Sequence, residues 1–181
     1  MDTKKHIFCK VPADLYEQNL TKNQIKFYLL LCQRADSHAV GKWKGYTLQH
    51  KDGTLAKEIG STPRQISKIR HHLKKLSLLE YNIDHAKKYK NNNSSSSYRY
   101  KLPSFDHFCQ IPKYLFKQHL TGKQLQFYLF IAARYDNIKK NEWSIPQQDQ
   151  QIAESINSTV GEVAKIRQKL IRMGLIDTVK N

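Results

Sequence analysis

Apolar residues along this chain fall into helical and strand-like spacings. Ile25, Tyr28, Leu29 and Cys32 stand at i, i+3, i+4 and i+7, the interval that turns one stripe of a helix inward. Thr21 and Gln24 precede them as T-x-x-Q, a capping box in which each side chain serves a free N–H of the helix start. A helical turn is expected before it, near residues 12–18, with a strand over 46–49 and a short helix over 54–59 behind it. Gly60 ends that helix, because glycine takes the left-handed conformation that follows many helices. Thr62, Pro63 and Gln65 then start a third helix as N-cap, first helical residue and capping-box partner. Its inner face is Ile66, Ile69, Leu73 and Leu76. Alternation over 78–84 and 98–102 predicts two further strands.

The same pattern returns later in the chain. The 29 residues from Phe8 align without a gap on those from Phe108, at an offset of 100 and with 13 identities. A second block from Tyr46 matches the one from Trp143 at an offset of 97, so the copies differ by three residues in a loop, where length changes are tolerated. Thr121 and Gln124 repeat the first capping box, Asn157 replaces Gly60, and Thr159 and Glu162 repeat the cap of the third helix. Val163, Ile166, Leu170 and Met173 repeat its inner face. The chain therefore divides into two copies of one domain, 1–103 and 104–181. The expected fold class is mainly α with small β-hairpins (α+β).

Within each copy, a short helix, a tight turn and a capped amphipathic helix make a helix-turn-helix pattern. In the first copy the strands at 78–84 and 98–102, with a long polar tract between them, fit the wing of a winged helix. The other reading of that tract is an interdomain linker. The second copy ends soon after a short strand at 175–177 and leaves little room for a wing.

Charge sharpens the picture. The chain has 31 Lys and Arg against 15 Asp and Glu, a formal +16, which favours a polyanionic partner. Residues 1–103 hold 20 basic and 8 acidic side chains, net +12, and residues 104–181 hold 11 and 7, net +4. From Gly60 to Leu79 there is no acid at all, whereas an ordinary solvated helix mixes signs. The outer face of the third helix carries Arg64, Lys68, His71 and Lys75, flanked by Arg70 and Lys74. A helix of this kind fits the major groove. Arg64, Gln65 and Lys68 are the candidate base contacts, and Thr62 with the helix-start N–H groups is a candidate phosphate contact. Lys87, Lys88, Lys90 and Arg99 would track phosphates from the wing. Tyr81, Tyr89, Tyr98 and Tyr100 suit packing better than base stacking. In the second copy the corresponding candidates are Thr159, Lys165, Arg167, Gln168, Lys169 and Arg172, with Gly161 and Glu162 in place of Arg64 and Gln65.

Other chemistries find little footing. There is no Gly-rich phosphate loop, no paired-carboxylate motif and no metal-ligand spacing, so no enzyme, cofactor or metal site is expected. His71 and His72 are adjacent and point apart on a helix. Cys9 and Cys109 occupy equivalent apolar positions, which suits packing. The three cysteines form no C-x-x-C pair, in keeping with a reduced, cytoplasmic setting. The longest apolar run, residues 27–32, falls far short of the roughly 18 residues of a membrane span. Nor does the N-terminus carry the apolar stretch of a signal peptide.

The openings FCKVPADLYEQNLT and FCQIPKYLFKQHLT, with TLAKEIGSTPRQISKIRHHLKKLSLLEY and QIAESINSTVGEVAKIRQKLIRMGLI behind them, resemble the winged-helix domains of phage and plasmid replication initiators. The resemblance covers nearly the whole chain and implies two tandem winged helices that bind repeated origin sequences in duplex DNA. It also implies that one domain can serve a homodimer or a replication-protein partner, a role that suits the less basic second copy. Bacterial transcription regulators share the helix-turn-helix core, so a repressor of such an element is the first alternative. A winged-helix adaptor that mainly binds proteins of the replication machinery is the second. Single-stranded RNA fits this pattern less well than duplex DNA.

Overall fold

A computed structural model describes residues 8–38, 47–84, 97–103, 106–135 and 149–176 of the chain. It is an α+β protein with six α-helices and two small sheets among those residues. The described residues form two compact units. One contains residues 23–106 together with 8 and 9, and the other contains 107–181 together with 10–22. The opening segment of the first sequence copy thus belongs to the unit built from the second.

In the first unit, α1 (Lys22–His38) is buried over Ile25 and over the whole run from Phe27 to Cys32. A single inward stripe was the expectation. The helix is instead apolar on all sides at its middle, which is how a central helix is built. Strand β2 (Thr47–Lys51) runs into α2 (Asp52–Ile59), followed by α3 (Pro63–Lys75), β3 (Glu80–Asp84) and β4 (Ser97–Lys101). β4 lies between the other two strands of a three-stranded antiparallel sheet, with Tyr100 opposite both Leu48 and Tyr81. Residues 85–96, the tract read as wing or linker, lie outside the described residues. Phe27 meets Tyr100 edge-on, with ring centres 5.8 Å apart, and this ties α1 to the sheet.

Arg34 of α1 reaches both β2 and α2. It bonds the carboxylate of Glu58, and its Nη1 lies 2.6 and 2.8 Å from the two ring nitrogens of His50. Arginine only donates, so the ring nitrogen it bonds must be unprotonated. Burial, with the Arg34 charge beside it, lowers the His50 pKa from 6.5 to about 4, and Glu58 opposes this. Between these two values the unfolded chain binds more protons than the folded one. The stabilisation is complete above the unfolded value and is lost as pH falls through the window. His50→Gln is expected to flatten the rise in urea midpoint between pH 4 and 6.5. A variant that keeps the wild-type slope across that range refutes this coupling.

The second unit holds β5 (Phe108–Pro112), α4 (Gly122–Tyr135), α5 (Asp149–Ser155) and α6 (Val160–Arg172). Strand β1 (Phe8–Pro12) pairs with β5, and the Ala13 N–H donates to the His107 carbonyl at 3.2 Å. The expected turn near residues 12–18 is a 3₁₀ helix, Leu15–Gln18, whose Tyr16 meets Phe130 of α4 edge-on at 5.1 Å. The capping box at the start of α4 is complete. Thr121 N–H donates to the Gln124 side chain at 2.9 Å, and Gln124 N–H donates to the Thr121 hydroxyl at 3.2 Å. After α6, Leu175 and Ile176 form a bend where a strand was expected. A strand needs a paired neighbour, and none of the described strands pairs with these residues.

No described helix is long and apolar enough to cross a membrane.

Candidate nucleic-acid interface

The exposed face of α3 is set up by the turn before it. Gly60, at φ +68°, gives its N–H to the Lys57 carbonyl, and Ser61 gives its own to Ala56 at 2.8 Å. This is the six-to-one and five-to-two pattern of a Schellman stop. Thr62 is extended, as the residue before a proline must be, and its hydroxyl accepts from Gln65 N–H at 3.2 Å. Pro63 removes an N–H that would have had no partner inside the helix. α2 and α3 are thereby joined by a turn of fixed direction.

Arg64, Gln65, Lys68, His71, Lys74 and Lys75 are exposed along α3, with Thr62 at its start. His71 Nδ1–H donates to the Ser67 carbonyl at 2.7 Å, and its ring meets Tyr81 edge-on. The Lys74 ammonium stands 5.0 Å from the centre of the Tyr81 ring. The result is one cationic face, without a carboxylate from Gly60 to Leu79.

Arg70 must be removed from that face. It is 1% exposed and sits among Ile66, Ile69 and Leu73 on the inner side of α3. Its Nη1 donates to Asp52 Oδ1 at 2.5 Å and to the Tyr100 hydroxyl at 3.0 Å. The guanidinium lies over the Tyr98 ring at 3.4 Å and faces Tyr81 at 5.0 Å. Burial works against its charge, but the bond to Asp52 and the contact with Tyr100 outweigh that and raise its pKa. Burial also pushes the Tyr100 phenol well up, against the pull of Arg70. Arg70 is thus the bolt that joins α3 to the start of α2 and to β3 and β4. Tyr81, Tyr98 and Tyr100 pack around it, while Tyr89 lies outside the described residues.

The second unit repeats this design with altered chemistry. Asn157, at φ +51°, makes the same stop, with Asn157 N–H to Glu154 at 3.2 Å and Ser158 N–H to Ala153 at 2.8 Å. Thr159 caps α6 through Glu162 N–H at 3.2 Å. Lys165, Gln168, Lys169 and Arg172 are exposed. Arg167 bonds Asp149, the counterpart of the Arg70–Asp52 pair, and so is drawn from the outer face toward α5. Its side chain stays 37% exposed, which makes this pair far wetter than its twin.

Arg99 is exposed on β4, while Lys87, Lys88 and Lys90 lie outside the described residues. Asp52 is the residue that sequence reasoning missed. Its signal was the shared offset of 97 that takes Asp52 to Asp149 and Arg70 to Arg167. Among the described residues no group of three His, Cys, Asp or Glu could hold a metal ion, and all three cysteines are buried thiols. Comparison with family models, curated proteins and solved structures gives no match.

Proposed function

We propose that this chain is a sequence-specific double-stranded-DNA-binding protein made of two tandem winged-helix domains. Its task would be to bind an origin of replication on a plasmid, phage or other mobile element. The observation that carries this reading is the cationic, carboxylate-free outer face of α3, fixed to its scaffold by the one arginine that points inward. In this mechanism α3 enters the major groove with its first residues toward the base edges. Arg64 is suited to a bidentate contact with guanine and Gln65 to adenine. Lys68, Lys74 and Lys75 neutralise phosphates, and the hairpin of β3 and β4 acts as the wing. Lys87, Lys88, Lys90 and Arg99 are the phosphate contacts of this reading. The origin-binding role rests on the resemblance to replication initiators.

Selection of duplexes from a random pool with the full chain tests this directly. Enrichment of a defined sequence is expected, with affinity falling steeply as salt rises because each neutralised phosphate releases counterions. A pool that yields no preferred duplex, or a preference for single strands, overturns the proposal.

A further inference from the structure

The start of α3 and the start of α6 share a backbone but carry opposite chemistry. Thr62 and Thr159 have the same extended conformation, at φ −112° and −101° with ψ 155° in both. Each accepts a hydrogen bond of 3.2 Å from the N–H three residues on. What differs is the side chains at the leading end. Arg64 becomes Gly161, which reaches nothing, and the neutral Gln65 becomes the carboxylate Glu162.

That carboxylate is held in place. In a closed capping box it would turn back to the N–H of Thr159. Here the Ser158 hydroxyl donates to Glu162 Oε2 at 2.5 Å, which keeps the charge beside the helix start. A helix N-terminus otherwise attracts anions, and Glu162 supplies one from the chain itself. The cations of α6 lie further along, with Lys165, Lys169 and Arg172 spaced four and three residues apart on one exposed stripe.

We infer that Glu162 is a specificity-determining residue that bars the leading end of α6 from duplex DNA. The chain then reads bases with α3 alone, and the second unit adds only backbone contact through Lys165, Lys169 and Arg172. This rests on the DNA-binding reading above. Glutamine at 162 keeps the size of the side chain and the backbone cap while removing the charge. For the Glu162→Gln protein, affinity for random-sequence duplex is expected to rise roughly fivefold, with the log–log salt slope steeper by about one. Glu154→Gln, which makes the same charge change at an exposed position of α5, serves as the control and is expected to leave both quantities unaltered.

The inference fails if Glu162→Gln binds with wild-type affinity and slope while Arg64→Ala with Lys68→Ala still destroys binding. In that case the reading of α3 survives and the gate does not. An equal rise with Glu154→Gln also overturns it, because net charge alone would be acting. A wild-type chain that binds no duplex overturns the gate and the DNA-binding reading together.

Discussion

Replacing Arg64 and Lys68 together by alanine is expected to lower affinity for the selected duplex by about a hundredfold or more, with no loss of fold. Each side chain is exposed on α3, and alanine is the better helix former, so stability should hold or rise slightly. A bidentate base contact discriminates by roughly 1–3 kcal/mol, and a lysine on phosphate adds a smaller share, so about 3 kcal/mol for the pair corresponds to the hundredfold loss. The loss should have two separable parts. Lys68→Ala alone is expected to weaken all sequences alike and to reduce the salt slope by about one. Arg64→Lys keeps the charge but not the planar fork, so its salt slope should stay and its discrimination at one base position should fall. A gel shift on selected and random duplexes, over a range of salt, reads both. Wild-type binding by the double variant would sink the assignment of α3 as the reading helix.

The repeat made much of this architecture legible. Gly60 and Asn157 do take the left-handed conformation, and Thr62 and Thr159 do cap the helices behind them. Those features are local, because a cap is decided by the few residues that form it. Strand β1 was not legible. Its partner β5 lies 100 residues away, and five residues ending in proline give little local signal for a pairing so remote. β4 was expected as a strand, but its central place between β2 and β3 depends on which edges are free, and alternation does not encode that.

Arg70 shows a different limit. It stands four residues after Ile66 and three before Leu73, squarely on the buried stripe, yet its charge suggested the solvent face. The hydrophobic pattern held the right answer. The partner that makes such a position tolerable, Asp52, lies in another helix and is visible only through the repeat. Leu76 and Met173, grouped with the two inner faces, are half-buried C-cap residues just past the ends of α3 and α6.

Removing that partner should have the largest effect on stability. Asp52→Ala leaves a guanidinium that is 1% exposed without its counter-charge, and breaking a buried pair in this way costs about 3–5 kcal/mol. The Nε of Arg70 already lacks a partner, so the site has little capacity to compensate. The loss of a carboxylate from the first turn of α2 adds a few tenths of a kcal/mol. Combining Asp52→Ala with Arg70→Met removes the stranded charge and leaves a flexible apolar chain against Tyr81 and Tyr98. The double variant is therefore expected to be more stable than Asp52→Ala alone. It should still fall short of the wild type by about 2 kcal/mol, the value of a desolvated cation over an aromatic ring. Asp149→Ala is the internal comparison. The Arg167–Asp149 pair leaves 37% and 23% of its two side chains in water, so its loss should cost about 1 kcal/mol or less. Urea midpoints of the four proteins measure these differences. Equal costs for Asp52→Ala and Asp149→Ala, or a double variant weaker than Asp52→Ala, would show that Arg70 is not held as a buried ion and that α3 owes its place to apolar packing alone.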